Sequence, residues 1–441
     1  MVMMRSWALL GLLAACRLHF SSEPSGAGPD GSVVGADSVA STQLAVQIAG
    51  YGAVTTTNGD ACADQCMFDD VSGSVTLTAI AGEGWQLDHY SAPCGTDVTC
   101  TVPAGTQVTA TFTVAPITAN LVFVTSTAAT VSGGLAALDT LCANQAAAAG
   151  KTGTFIAYAS TSTQDAKTRL NGKRGWVRSD GLPFLDVPST IGTALPRGVP
   201  YDATGSPQLE AAVTGTTVSG TYASGLNCSD WTVQSNGEQV AGTLTWNAGI
   251  DALGNDSTAC AGNDPILCFQ IDHTMAVTLH PAPFPVGRYI FTSTNPFPMT
   301  GLAAADAQCQ NEATAGNLPG SYVALLATTT QSASDRVGGL AGLWRRADGI
   351  VVSRTGLDTS LLDAAVDVDA TGAVVDNAVW LGASSATALG DATTTCMDYS
   401  TTTNTTTQYV IYSYNAELLS FVGGGSSECS AGVHLLCAQL P

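Results

Sequence analysis

From residue 120 onward the chain is written twice. NLVFVTST (120–127) is answered by RYIFTSTN (288–295), GGLAALDTLCANQAAAAG (133–150) by TGLAAADAQCQNEATAG (300–316), and GTFIAYAS by GSYVALLA. Arg169 corresponds to Arg336, Trp176 to Trp344, Asp202-Ala203-Thr204-Gly205 to Asp369-Ala370-Thr371-Gly372, and ILCFQ (266–270) to LLCAQ (435–439). The offset stays between 167 and 169 throughout. Such self-similarity constrains the fold more than composition does, because whatever one copy folds into the other must adopt as well. Two homologous domains follow, 120–280 and 287–441. They are joined by HPAPFPVG, in which Pro281, Pro283 and Pro285 stiffen the joint.

The cysteines obey the same repeat. Cys142, Cys228, Cys260 and Cys268 in the first copy are spaced by 86, 32 and 8 residues; Cys309, Cys396, Cys429 and Cys437 in the second by 87, 33 and 8. Four more, Cys62, Cys66, Cys94 and Cys100, lie upstream, and Cys16 stands apart. Twelve can therefore pair, and spacing leaves three connectivities open in each set of four. Zinc is the rival reading for Cys62, Cys66, Cys94 and Cys100. No C-x-x-C pair and only five histidines make disulfides the favoured one.

Ahead of the repeats, QLAVQI, GSVTLTAI and CTVPAGTQVTATFTV alternate with period two and are separated by Gly-rich turns, which predicts a small all-β module over 42–116. Within each copy one helix is expected, with Leu135, Leu138 and Cys142, or Leu302, Ala305 and Cys309, on one face. A second helix is expected near Ser162, capped with the help of Asp165, and near Thr330. Short strands and Gly/Ser/Thr loops fill the remainder, so the class is α+β.

The start of the chain, MVMMRSWALLGLLAAC, has Arg5 before an apolar run too short to span a bilayer. Its ending, Leu13-Ala14-Ala15-Cys16, resembles the bacterial lipoprotein signal. That resemblance implies removal of 1–15, acylation of Cys16, and anchoring by more than one chain. Arg17 in place of the inner-membrane retention aspartate implies an outer-membrane address, on its periplasmic or surface side. Residues 16–41 then read as the lipidated cysteine and a flexible Ser/Gly/Pro tether.

Two further resemblances rest on these motifs. The close cysteine pairs flanking VTLTA and VTATF resemble the divergent internalin-type B-repeat modules of bacterial surface proteins, with Trp85-Gln86-Leu87 departing from the usual Phe-x-Gly-Trp. The duplicated segment carries FVTS at its start, a Leu-x-x-x-Asp-x-x-Cys helix, GTF-x-A, Trp-x-Arg-x-Asp-Gly, a cysteine near Trp, and a closing Leu-Cys. It is similar to the bacterial lectin-like module related to the endostatin domain, within the C-type lectin fold. The resemblance implies outer bonds Cys142–Cys268 and Cys309–Cys437 and inner bonds Cys228–Cys260 and Cys396–Cys429. The expected architecture is two tandem C-type-lectin-like domains preceded by the β module.

Chemistry is harder to find. The chain lacks His-Glu-x-x-His, Gly-x-Ser-x-Gly and Walker motifs, and a catalytic role is not expected. His89, His273, His280 and His434 are scattered. DVDATGAVVD resembles a calcium loop at Asp367, Asp369, Thr371 and Gly372, but Ala378 stands where the bidentate glutamate belongs. No cofactor is expected, with calcium as the one metal lead. Trp246-Asn247-Ala248 lacks the aspartate of the sugar-binding lectin triplet, so calcium-dependent sugar binding does not transfer.

A net charge of −21 and pI near 4.2 exclude a nucleic-acid partner. Against that background seven of the fourteen basic residues fall between 151 and 197. Arg169, Lys173, Arg174 and Arg178 are the candidate ligand-binding residues, with neutralisation by Asp165, Asp180 and Asp186 as the alternative. Trp176, Arg178 and Asp180-Gly181 recur in the second copy and read as scaffold, whereas Lys173 and Arg174 face Ala341 and Gly342. The function expected is a lipid-anchored envelope protein for binding or adhesion, recognising polysaccharide or another surface polymer or protein. An exported hydrolase without a recognisable motif, or a passive structural surface protein, is the alternative.

Overall fold

Period-two patterning in the upstream segment produces eight strands: β1 (Leu44–Ala49), β2 (Gly52–Thr56), β3 (Ala61–Cys62), β4 (Gln65–Phe68), β5 (Ser74–Ala81), β6 (Trp85–Tyr90), β7 (Thr99–Pro103) and β8 (Gln107–Val114). They form two sheets, β4-β1-β8-β6 and β3-β2-β5-β7. Val75 and Leu77 of β5 meet Leu44 and Val46 of β1 and Val108 to Phe112 of β8 in one core. The Cys62–Cys66 bond crosses from one sheet to the other. This is a computed structural model. It describes residues 43–441 except 70–72, 130–131, 194, 236, 245–252, 255, 262–263, 281–282, 359–360, 376, 404–407 and 413–424. The signal segment 1–15, Cys16, the tether 16–41, Pro281 and Trp246-Asn247-Ala248 lie outside the described residues.

The duplication holds element by element. The first copy runs β9 (Asn120–Val124), α1 (Gly134–Ala148), β10 (Phe155–Ala157), α2 (Ala166–Arg169), β11 (Trp176–Arg178), β12 (Pro183–Leu185), β13 (Ala211–Val213), α3 (Cys228–Trp231), β14 (Gln239–Leu244), β15 (Asp256–Ala259) and β16 (Leu267–Gln270). The second runs β17 (Arg288–Thr292), α4 (Leu302–Ala315), β18 (Tyr322–Ala324), α5 (Ala333–Arg336), β19 (Trp344–Arg345), β20 (Val351–Ser353), β21 (Ala378–Trp380), α6 (Cys396–Tyr399), β22 (Gln408–Tyr412), β23 (Gly425–Ser427) and β24 (His434–Gln439). Registers repeat too. Phe123 faces Cys268 as Phe291 faces Cys437, and Ala157 faces Cys268 as Ala324 faces Cys437. The molecule is α+β, rich in strands and poor in helix.

The helices differ in detail from the sequence expectation. α1 buries Leu138, Cys142 and Ala146, and α4 buries Ala305, Cys309 and Ala313, so positions i, i+4 and i+8 set the face, all of them small in α4. Leu135 and Leu302 are only partly buried at its edge. α2 and α5 begin later than expected and last a single turn. Asp165 occupies the cap position of α2 without a side-chain cap bond, and Ser162 is bonded to Asp230 instead. Ser332 caps α5 through the Asp335 amide.

Six disulfides are formed. Cys142–Cys268 and Cys309–Cys437 tie the long helix of each copy to its last strand, and Cys228–Cys260 and Cys396–Cys429 tie the loops. Cys94–Cys100 joins the Cys62–Cys66 bond in the β module. Sequence separations of 126 and 128 place the outer bonds among long closures. The chain-entropy model credits each with roughly 5 kcal/mol against the unfolded chain.

The inner disulfides hold an uncommon backbone. Cys228, Ser229, Asp230 and Trp231 all have positive φ, from 50 to 65°, and Cys396, Met397, Asp398 and Tyr399 repeat this at 51 to 62°. These short α3 and α6 turns are therefore left-handed, at a cost of about 1–2 kcal/mol per residue. Their side chains offset it. Asp230 accepts from the Ser162 amide and hydroxyl, Asp398 does so from Thr329, and Trp231 and Tyr399 donate to Ser160 and Ala327 carbonyls. Met397 is 63% exposed on its turn, whereas the Ser229 hydroxyl donates to Glu238, so Met397→Gly is the clean test and should leave the chain as stable or stabilise it by up to about 1 kcal/mol in urea unfolding. A loss of more than that would show that the turns carry no strain.

Candidate functional site: a cleft beside a buried charge junction

Residues Ser41–Pro441 form one compact unit in which arginines do much of the joining. Within each copy, Arg169 donates from one terminal nitrogen to both carboxylate oxygens of Asp139 of α1 and from the other to the Ala157 carbonyl, and Arg336 does the same with Asp306 and Ala324. The helix aspartate is held from two sides, since it also accepts the Ala157 or Ala324 amide. Arg178 and Arg346, 1% and 2% exposed, pair with Asp180 and Asp348 across the β11–β12 and β19–β20 hairpins. Trp176 and Trp344 beside them are fully buried.

Between modules the network is asymmetric. Arg197 donates to Glu83 of the β module at 2.5 Å, and Arg178 reaches the Gly198 and Asp363 carbonyls. Gly84 lies so near Gly181 that a Cβ there would meet the Gly181 oxygen at 2.8 Å. Arg354 makes a two-pronged bond to Asp363 at 2.8 Å and lies 5.3 Å from the centre of the Tyr51 ring. Tyr51 in turn packs on Phe284, from the interdomain joint, and edge-on against Trp85. Arg345 donates to the Phe284 carbonyl. The proline-rich joint is thus anchored on the β module as well as stiffened.

Burial dominates the electrostatics here. It pushes the Glu83 carboxyl above its ordinary value, against the pull of Arg197 and Arg178. Burial lowers the Arg197 guanidinium, with Glu83 opposing. It pushes the Tyr51 phenol up, helped by Glu83 and Asp363. For Asp180 and Asp348 burial also acts upward, but the adjoining Arg178 and Arg346 outweigh it and hold both carboxyls below the usual range.

These contacts enclose a cleft of about 1040 Å³ between the β module and the second copy, the upper end of the range for small-ligand sites. Tyr51, Trp85 and Tyr201 are its aromatic lining residues, and Leu343, Arg354, Asp363 and the exposed Asp64 also border it. The Trp85 indole N–H is buried without a hydrogen-bond partner.

The candidates named from sequence lie elsewhere. Arg169 and Arg178 face inward and are spent on internal acceptors. Arg174 is half-exposed but bound at both prongs to Asp186. Lys173 is partly exposed at the end of this strip, and Lys167 donates to the Ile191 carbonyl. The strip does not gather a shared anion site; Asp180 and Asp186 each neutralise one arginine, while Asp165 accepts the Tyr222 amide. At the calcium lead, Asp367 pairs with Arg346, and Asp369 accepts from the Thr371 hydroxyl and the Thr371 and Ala373 amides. Asp202 closes the equivalent DATG turn identically through Thr204 and Ser206. No group of three or more potential metal ligands occurs among the described residues. Of the histidines, His434 is buried against the Ser293 carbonyl and His89 pairs with Asp88 on the surface. His280 lies 3.8 Å from Asp348.

Sequence reasoning missed Tyr51, Glu83, Arg197, Arg354 and Asp363. The signal was available in the copy comparison: Arg354 stands where the first copy has Asp186, and Arg197 falls opposite Ala364. No protein-family model matches the chain, and no curated protein matches it.

Removing one member of the Glu83–Arg197 pair leaves the other charge buried. Glu83→Ala and Arg197→Ala should each cost roughly 3–5 kcal/mol in urea unfolding, and the double variant much less than their sum. Additive losses would show the pair is not coupled.

The lowered carboxyls predict an acid limb. An unfolded aspartate titrates near 3.9, so Asp180 and Asp348 stabilise fully above that value and lose this as pH falls through their lower folded values. Glu83 acts oppositely, since its raised value makes stability fall as pH rises above the ordinary glutamate range. The urea midpoint should therefore drop below about pH 4, and Asp348→Asn should make that drop shallower. An unchanged slope in Asp348→Asn would contradict this.

Proposed function

We propose that the chain is a non-catalytic binding or adhesion protein of the bacterial cell envelope, anchored through lipidated Cys16, with a polysaccharide or another extracellular polymer as its ligand. The observation that carries the reading is the aromatic-walled cleft held open by buried ion pairs, a preformed site whose walls are fixed before any ligand arrives. Six disulfides suit an oxidising compartment. Among the described residues, no helix is long and apolar enough to cross a membrane.

The wiring of the bonds supports reading each copy as C-type-lectin-like: helix to last strand outside, loop to loop inside. Two kinds of group that often carry catalysis, thiols and a carboxyl raised by burial, are engaged in structure here. All twelve cysteines downstream of Cys16 are in disulfides, and Glu83, with its raised carboxyl, is bound to Arg197.

The full chain should bind saturably to at least one polymer on an array of immobilised polysaccharides and matrix proteins, with and without EDTA, and release no reducing ends from it. Growth with labelled palmitate should mark the wild type and leave Cys16→Ser unlabelled. Binding to nothing on the array, or release of sugar, would overturn the binding role; label retained in Cys16→Ser would overturn the anchor.

A further inference from the structure

We infer that Cys66 and Cys94 are sites of thiol–disulfide exchange. Through them low-molecular-weight thiols, neutral or cationic rather than anionic, open the two disulfides of the β module while the four in the repeats stay closed. Access separates the two groups. A thiolate must reach one sulfur of a disulfide in order to displace the other. Ten of the twelve bonded cysteines are no more than 1% exposed, and every repeat disulfide joins two of these. Cys66 and Cys94 are partly exposed, each bonded to a buried partner, Cys62 or Cys100. Cys66 also borders the cleft.

Both bonds are edge staples. β3 and β4 are edge strands of opposite sheets, joined by Cys62–Cys66. β6 and β7 are the other two edges, joined by Cys94–Cys100 through the turn that follows β6. Separations of 4 and 6 residues constrain the unfolded chain far less than the 126 and 128 of the outer repeat bonds. Strand pairing does not pass through the staples. β4 pairs with β1 from Leu44↔Phe68 to Gln47↔Gln65, and β7 pairs with β5 from Ser74↔Pro103 to Thr78↔Thr99. Opening a staple therefore leaves the ladders in place. The Cys62 sulfur lies 4.0 Å from the Val46 carbonyl, to which a released S–H can donate.

The exchange takes two steps. The attacking thiolate bonds to the Cys66 or Cys94 sulfur, and the buried sulfur leaves with the electron pair and takes up a proton. A second thiolate then attacks the small-molecule sulfur of the mixed disulfide and releases the exposed cysteine as a thiol. Two small thiols are thereby oxidised to one disulfide, and one protein disulfide is reduced to two thiols. Charge selects among the thiols. Residues 42–116 contain seven aspartates and glutamates and no lysine or arginine. Each staple loop has an exposed aspartate between its cysteines, Asp64 in one and Asp97 in the other. A carboxylate so placed repels an anionic thiol within a Debye length of about 8 Å at physiological salt.

The test exposes the full chain, carrying Cys16→Ser so that no other thiol competes, to graded β-mercaptoethanol, cysteamine or mercaptoethanesulfonate without denaturant. Alkylation with iodoacetamide and peptide mapping by mass spectrometry then report which bonds have opened. Cys62, Cys66, Cys94 and Cys100 should be labelled at thiol concentrations that leave the eight repeat cysteines unlabelled, with the far-UV circular dichroism unchanged. With rates normalised to those on oxidised β-mercaptoethanol, cysteamine should outpace mercaptoethanesulfonate by at least about threefold at low salt, and the gap should close at high salt. Asp64→Asn should narrow the gap at Cys62–Cys66 alone, and Asp97→Asn at Cys94–Cys100 alone. Labelling of the repeat cysteines in parallel, or of no cysteine until urea is added, overturns the inference. So does loss of the strand signal on selective reduction, which would make the staples essential to the fold. Equal normalised rates for the cationic and anionic thiols, or a gap unmoved in both aspartate variants, overturn the charge selection.

Discussion

Buried guanidinium groups are the constraint on which this molecule depends. The chain is strongly acidic, yet all nine arginines among the described residues are engaged by internal carboxylates or carbonyls. Arg178, Arg197 and Arg346 are almost wholly inaccessible. A buried ion pair adds little net stability over a well-packed apolar alternative, but it tolerates no mispairing, since a stranded charge is expensive. Such pairs specify geometry. Here they fix which face of the β module meets which hairpin, and a misdocked arrangement would leave Glu83 or Arg197 alone in a low-dielectric interior.

The duplication shows how specificity of this kind was added to a common scaffold. Elements that recur serve the copy itself: the helix aspartate with its arginine, the buried tryptophan, the Arg-x-Asp hairpin closure, and the Asp-Ala-Thr-Gly turn locked by its own carboxylate. Elements that differ serve the contacts between modules. Arg197 has alanine opposite it and reaches Glu83; Arg354 replaces an aspartate and reaches Asp363 beneath Tyr51. In the first copy Asp186, at the Arg354 position, is matched by Arg174 instead. Each copy thus has one private ion pair built on this equivalent position, which carries the aspartate in the first copy and the arginine in the second.

Much of this was readable in advance. Constant offset and cysteine spacing laid out the repeated architecture, and period-two runs located β1, β5, β7 and β8. What resisted was whatever depends on docking. A basic strip in an acidic chain looks like a ligand site only while its partners are unknown; Asp139, thirty residues from Arg169, is brought to it by the packing of α1 on β10. Helix periodicity found Leu138, Cys142, Ala305 and Cys309 on the buried faces, but it also placed Leu135 and Leu302 there, which lie only at the edge, and it did not name Ala146 or Ala313. The left-handed turns had no local signal. Ser-Asp-Trp and Met-Asp-Tyr contain no glycine, and their handedness is imposed by the inner disulfide and by the aspartate that reaches across to Ser162 or Thr329.

The cleft is a consequence of the same economy. Docking a sandwich on a hairpin through a few buried pairs leaves the surfaces between those pairs unmatched, and the unmatched surface here is aromatic. Tyr51 is held on three sides, by Phe284, Trp85 and the Arg354 guanidinium, so its ring cannot swing to fill the space. Trp85 is left with an indole N–H and no acceptor. A core assembled only for stability would close such a gap, because an empty space lined by side chains forfeits contacts and an orphan donor costs more. The pairs that make the junction unique also prevent that collapse, and Arg354 and Asp363, bonded to each other, fix one stretch of the cleft wall.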